Sequence, residues 1–382
     1  MTAVRAMANA HSHAFQRGLR GATERPGADA RDDFWSWRSQ MYRLAGALEP
    51  DSMRALAARA YGEMAAAGYG SVGEFHYVHH RPDGSPYPDP NAMALAVAEA
   101  ALEQGLEIVL LPAAYHRAGF ADGRDIPPAS GQRRFCDPSL PAFLERVEAL
   151  REWAHERANV WVGVAAHSAR AVPEAWLAGI AAYAERHGLV RHVHAAEQPR
   201  ELAEVDAEHG CSPIELLERT GFLGPRSSVV HAIHVSEDDI GLLAASDTTV
   251  VSCPTTEGNL GDGYPPAMAY RDAGVRLAIG SDSQVRIDPF EEARELETGA
   301  RRERRTRFAL MGAHGDLWAE LCRNGRASLG LPPDGGATIE VDPDHADLSG
   351  VAPEDLALAL VTSASAAVVA TRPPSTSGEG SA

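Results

Sequence analysis

His11 and His13 stand one residue apart in the stretch NAHSHAFQRG, close to the start of a 382-residue chain. In an extended segment, residues i and i+2 project to the same side, so both imidazoles can reach one point. His194, His231 and Asp282 lie far along the chain, each at the end of a short apolar run. Taken singly, each has an ordinary structural reading, since a histidine at a strand end is usually a hydrogen-bonded anchor and an aspartate a helix cap. Taken together, His11, His13, His194 and Asp282 offer three neutral nitrogens and one carboxylate, a set suited to one Zn2+ per subunit with a position left for water. Fe2+, Co2+ and Mn2+ fit the same donors. The chemistry open to such a centre is hydrolysis, because a bound zinc ion lowers the pKa of water from its bulk value to about 7.

Residues so far apart converge only if regular elements deliver them. Apolar residues recur at helical spacing over 51–67, 92–104, 141–157, 173–186 and 213–220, which predicts helices, the first with Asp51 as N-cap. Between them lie apolar runs at 71–75, 107–113, 160–166, 189–196, 227–233, 248–254 and 275–282, preceded by the mildly apolar lead 3–8. Eight strand candidates, most of them followed by a helix, have the period of a (β/α)8 TIM barrel, whose chemistry sits at the C-terminal ends of its strands. An open doubly wound sheet is the competing architecture, but no glycine-rich nucleotide loop follows the first run.

Composition narrows the partners. The 35 basic against 53 acidic residues leave a net charge of −18, which repels phosphate backbones and argues against nucleic acid. An anionic substrate would therefore need local arginines. Cys136, Cys211, Cys253 and Cys322 form no C-x-x-C pair, so a reducing cytoplasm is expected. No signal region or membrane-length apolar run is apparent, so no membrane partner is expected. The basic stretch 301–307 reads as a solvated helix face, and the glycine-rich 253–263, which no lysine follows, as a loop over the site. His76, His79, His80 and His116 read as loop scaffolding, and 372–382 as a disordered tail.

The H-x-H pair, the histidines after the fifth and sixth runs and the aspartate after the eighth resemble the pattern of the amidohydrolase superfamily. HVHAAE places Glu197 three residues after His194, similar to the H-x-x-E of its mononuclear aminohydrolases. The strings NAHSHAFQRGLRG, FWSWRSQMYRLA, EFHYVHH, HSARAV, HVHAAEQPRE, VVHAIHV, CPTTEGNLGDG and GSDSQVRIDPFEEAR together resemble the formimidoylglutamate deiminase family. That resemblance implies a zinc-dependent, cytoplasmic, homodimeric enzyme of histidine degradation. Its substrate would be a small anionic amidine, N-formimidoyl-L-glutamate, converted with water to N-formyl-L-glutamate and ammonia. It also implies His11, His13, His194 and Asp282 as metal ligands, and Glu197 and His231 as the catalytic pair. In the corresponding chemistry Asp282 takes the proton of the attacking water, Glu197 relays a proton to the leaving nitrogen and His231 orients the attacking oxygen. Gln16, Arg38, Tyr77, His167 and Arg170 match residues that hold substrate, although Arg38 also reads as a surface ion pair and Tyr77 as core.

Such enzymes carry part of a small β-sandwich ahead of the barrel, whereas His11 follows closely on Met1. The expected organisation is therefore a barrel over 1–330, a sandwich remnant over 331–371 and the tail, with the accessory sandwich truncated or largely missing. Two other functions stay open. One is a related deaminase acting on a purine, pterin or other cyclic amidine, which would show an aromatic pocket without paired arginines. The other is an inert homologue that only binds a ligand or partner.

Overall fold

The computed structural model describes residues 1–24, 34–312 and 317–371. The expected disordered tail, 372–382, lies outside these. In chain order the strands are β1 (Thr2–Arg5), β2 (Met7–Ser12), β3 (Tyr69–His76), β4 (Glu107–Ala114), β5 (Gly119–Ala121), β6 (Arg124–Ile126), β7 (Val160–Val162), β8 (Val164–Ser168), β9 (Arg191–Ala195), β10 (Ser227–His231), β11 (Thr249–Ser252), β12 (Arg276–Ile279), β13 (Thr338–Val341) and β14 (Val369–Thr371).

Each of the eight predicted runs contributes a strand to one parallel array, the first run through its last residues only. It runs β2, β3, β4, then β7 and β8 as two halves of the fourth, then β9, β10, β11 and β12. Parallel neighbours need long crossovers, which the helices Pro50–Ala67, Ala92–Glu103, Leu140–His155, Glu174–His187 and Pro213–Arg219 supply. Helices cover the outer face and side chains fill the barrel, which is why these strands read as continuous apolar runs rather than alternating ones. One cap differs from expectation. Glu49, not Asp51, is the N-cap of Pro50–Ala67, with Pro50 opening the first turn and the Glu49 N–H donating to Ser52 Oγ at 2.9 Å.

First and last strands meet at a sparse seam. A single bridge joins Ser12 to Asp282; around it the His13 N–H donates to the Asp282 carbonyl at 3.0 Å and the Asp282 N–H to the His11 carbonyl at 3.1 Å. Gly280 permits this approach, because a Cβ there would stand 2.7 Å from the His11 carbonyl oxygen and 2.8 Å from its nitrogen. Helix Leu317–Ser328 covers the seam from outside, where Asn324 Nδ2 donates to the Leu277 carbonyl at 2.9 Å and Trp318 Nε1 to the Arg5 carbonyl at 3.2 Å.

The lead 3–8 divides at Ala6. β2 belongs to the barrel, while β1 pairs antiparallel with β13, which in turn pairs with β14. β13 and β14 fall within 331–371, the segment expected to be a sandwich remnant, and β1, from the lead to the barrel, joins them in this three-stranded sheet. Residues 2–5 thus pack with the C-terminal sheet rather than opening the barrel. Among the described residues, no helix is long and apolar enough to cross a membrane.

Candidate active site

Four strand ends, those of β2, β9, β10 and β12, bring His11, His13, His194, His231 and Asp282 together at the C-terminal mouth of the barrel. His11 Nε2 lies 3.2 Å from His13 Nε2 and 3.1 Å from His194 Nε2, and Asp282 Oδ1 stands 3.5 and 3.4 Å from the first two. Donors held 2.0–2.1 Å from a tetrahedral zinc ion are about 3.3 Å apart, so this cluster has the spacing of a ligand shell. The outer nitrogens agree. His13 Nδ1 lies 2.8 Å from the Phe75 carbonyl and His194 Nδ1 2.8 Å from the His167 carbonyl, contacts that place the ring proton on Nδ1 and leave the Nε2 lone pair facing inward. Burial lowers His11 to a pKa of about 3, with neighbouring His13 acting in the same direction, so its ring is neutral at ordinary pH. Three lone pairs this close repel one another unless a cation lies between them. The donor set fits a divalent metal.

Asp282 is buried, which raises its pKa, but the bond from His11 and the surrounding histidines prevail and hold it below the usual carboxylate range. Its second oxygen, Oδ2, is 3.9 Å from His231 Nε2, which lies 3.6 Å from Glu197 Oε1. Burial raises Glu197 to about 7, against the pull of His231. His231 loses solvation too, yet Glu197, Glu257 and Asp282 around it lift it to about 10. Ala196, His231, Ala232, Asp282 and Gln284 all have positive φ, between 45° and 72°. Non-glycine residues adopt that region at a cost, and strain of this kind concentrates at functional sites.

The five residues matched to substrate binding all line the pocket beside this cluster, with His13, His194, Glu197, His231 and Asp282. Gln16 Nε2 donates to Tyr77 Oη at 2.8 Å, and the His167 ring packs on Tyr77 with centroids 5.5 Å apart. Arg38 belongs to helix Phe34–Ala47 and lies 4.2 Å over the Trp35 ring, inside the pocket rather than in a surface ion pair. Arg38 Nη1 and Arg170 Nε are buried without hydrogen-bond partners, Arg170 Nε lying 3.5 Å from Glu204 Oε2. The free space here is only about 60 Å³, well below the 300–1,000 Å³ of ordinary small-molecule sites.

Two acidic residues escaped the sequence reading. The segment 253–263 is not a loop, because Pro254–Leu260 is a short helix that places Glu257 beneath His231. Glu257 Oε1 lies 3.3 Å from His231 Nδ1 and accepts the Cys253 N–H at 2.7 Å, while Oε2 accepts Ser252 Oγ–H at 2.8 Å. Proline in the first turn and Gly261 as a left-handed C-cap were the signal that the glycine count obscured. Asp262, also buried, accepts a hydrogen bond from Gln198, the residue after Glu197. The histidines read as scaffolding stand apart from the ligand cluster; His79 Nε2, for example, lies 2.9 Å from the Ala113 carbonyl.

The amidohydrolase family model matches residues 4–338, and the chain belongs to that family. It is 40% identical over 304 residues to formimidoylglutamate deiminase of Pseudomonas aeruginosa, a match spanning 80% of this chain and 66% of that protein, just under two thirds of its length. The crystal structure of an amidohydrolase from Brucella melitensis superposes with a TM-score of 0.88 at 32% identity, covering 97% of this chain and 85% of the other. An adenosine deaminase from Xanthomonas campestris, solved with bound zinc, shares the fold at a TM-score of 0.78 and 21% identity, covering 97% and 80%.

Proposed function

We propose that this chain is a metal-dependent hydrolytic deiminase whose substrate is N-formimidoyl-L-glutamate, released as N-formyl-L-glutamate and ammonia in histidine degradation. The observation that carries this reading is the pair of guanidiniums, Arg38 half-buried and Arg170 buried, each with a buried nitrogen that makes no hydrogen bond, in a pocket that also holds Glu197 and His231. A substrate with two carboxylates is the natural partner for two such forks in an otherwise acidic protein. The relative in Pseudomonas aeruginosa, named for the same reaction, supports it.

His11, His13, His194 and Asp282 would hold one zinc ion, which when bound supplies Lewis-acid activation of water. Asp282 Oδ2, facing His231, accepts the proton of the attacking water. Glu197, near neutrality, carries a proton at Oε1 to the departing nitrogen. His231 Nε2 donates toward the attacking oxygen while Glu257 fixes its ring from behind. Gln16, Tyr77 and His167 form the side wall that aligns the formimidoyl carbon, with Arg38 and Arg170 on the carboxylates. Phe34, Trp37 and Tyr42 make the pocket aromatic as well, the feature expected of a deaminase for cyclic amidines. The paired guanidiniums favour the dicarboxylate.

The deciding experiment measures ammonia release from N-formimidoyl-L-glutamate by purified protein, with metal content determined on the same sample. Glu197→Gln is expected to keep the metal and lose about 10²–10⁴ in rate. Metal-replete protein that deaminates a purine or pterin in preference to N-formimidoyl-L-glutamate refutes the assignment.

A further inference from the structure

Glu201 lies in the first turn of helix Pro199–His209 and is buried, 6% exposed, in the wall of the active-site pocket. A glutamate at this point of a helix usually does local work, its carboxylate reaching back to the N–H of the N-cap residue. Here the N-cap is Gln198, and the carboxylate reaches past it. Glu201 Oε2 accepts the N–H of Glu197 at 3.1 Å, while Oε1, also buried, takes no hydrogen bond. Burial pushes the Glu201 carboxyl up in pKa, against the pull of the Arg170 guanidinium. A helix start exposed to water would not require that loss of solvation.

The bond falls where the position of Glu197 is decided. Glu197 lies between the end of β9 and the helix, next to Ala196 with its φ of 55°. The carbonyl side of this turn is held by the segment after His231: the Ile233 and His234 N–H groups donate to the Ala196 carbonyl at 3.0 and 2.9 Å, and the Ala232 N–H to the Ala195 carbonyl at 3.0 Å. Beyond Glu197, the Gln198 side chain is tied to Asp262. The Glu197 carboxylate is held less firmly, its Oε1 standing 3.6 Å from His231 Nε2, beyond hydrogen-bond range. Its aim therefore follows the main chain, and the main-chain N–H of Glu197 is held by Glu201.

We infer that Glu201 is a positioning residue of the deimination: it anchors the main chain at Glu197 and so aims that carboxyl at the departing nitrogen. The inference rests on the role proposed for Glu197. Reach and charge separate it from an ordinary part in starting the helix. Glu201→Asp keeps the charge and suits the first turn of a helix, but it withdraws the carboxylate by one methylene, out of reach of the Glu197 N–H. Glu201→Gln loses the charge and keeps an acceptor oxygen at the same distance.

Two measurements on the metal-loaded full-length chain decide. In amide hydrogen exchange, the Glu197 N–H is expected to exchange at about the wild-type rate in Glu201→Gln and at least about tenfold faster in Glu201→Asp. In ammonia release from N-formimidoyl-L-glutamate, Glu201→Asp should lose about a hundredfold in kcat, as a misplacement of about 1 Å does, with KM within about threefold of wild type and the metal kept. Glu201→Gln should stay within about tenfold of wild type, because the weaker neutral bond remains. The inference is overturned by the reverse order, with aspartate the better replacement, by equal losses in the two variants, by wild-type kcat or wild-type exchange in Glu201→Asp, or by loss of metal along with kcat. A wild-type chain that releases no ammonia from N-formimidoyl-L-glutamate refutes the proposed reaction instead; the exchange rates, which need no substrate, still uphold or overturn the anchor.

Discussion

Replacing Glu257 by glutamine changes one charge beneath His231 and little else. In the native site Glu257 Oε1 accepts the Cys253 N–H and faces His231 Nδ1, while Oε2 accepts the Ser252 hydroxyl. Glutamine keeps the shape and one acceptor oxygen, which the Cys253 N–H and His231 Nδ1–H still reach, and the Ser252 hydroxyl can turn to accept from the new amide. What is lost is charge assistance. Hydrogen bonds to charged groups are worth about 1.5–3 kcal/mol against about 0.5–1.5 for neutral ones, so the change costs His231 on the order of 1–1.5 kcal/mol of orientation. That is about tenfold in rate. Ammonia release by Glu257→Gln is therefore expected to fall about tenfold in kcat, with KM and bound metal nearly unchanged. Glu257→Ala instead leaves three buried polar groups without partners and is expected to lose about 3 kcal/mol or more of stability in denaturant titrations. Full wild-type kcat in Glu257→Gln, with an unaltered pH profile, refutes a positioning role; loss of metal in that variant makes Glu257 part of the metal site instead.

His194→Ala is expected to reduce bound metal to a small fraction of one equivalent and to remove the dependence of the thermal midpoint on added zinc; tight stoichiometric metal in that variant contradicts the ligand assignment. Arg170→Met should lower kcat/KM on N-formimidoyl-L-glutamate about ten- to two-hundredfold, with Arg170→Lys only partly restoring it, and normal turnover by Arg170→Met removes that carboxylate contact. Burial raises the Glu74 carboxyl from 4.5 to about 7 despite the hydrogen bonds it accepts from Ser12 and Ala14, so between those pH values the folded chain keeps a proton that the unfolded chain releases. The contribution of Glu74 to stability is therefore greatest at low pH and declines as pH rises toward about 7, by on the order of 3 kcal/mol. Glu74→Gln should flatten that part of the stability profile, and urea titrations at pH 5 and pH 8 that show the same pH dependence for both proteins exclude it.

The convergence of His11, His13, His194 and Asp282 was legible because these residues are of unusual type and each ends an apolar run, so order along the chain translated directly into position around the barrel. Glu257 was hidden for the opposite reason. Its role depends on whether a short glycine-bearing segment curls into a helix, and composition argued for a loop. The division of 3–8 into β1 and β2 was equally opaque, since β1 is defined by pairing with β13, more than three hundred residues away, and nothing in its own pattern marks the break. Arg38 shows a third limit. The helical spacing around it is plain, but which face of Phe34–Ala47 meets the pocket is a tertiary fact, settled by packing against residues from other strands.

The sparse seam between β2 and β12 has a consequence for how the protein comes into being. His11 and His13 lie on one lip, Asp282 on the other, and the few backbone bonds between them are flanked by metal-type ligands. Chains fold as they emerge from the ribosome, N-terminal parts first, so the two histidines are exposed to the cell well before the strand that completes their site has been made. An ion held by both lips would work as a lock: it could not be gripped until the barrel had closed, and once gripped it would resist the parting of the first strand from the last. Acquisition of metal by this chain would then mark the moment when synthesis and closure are finished.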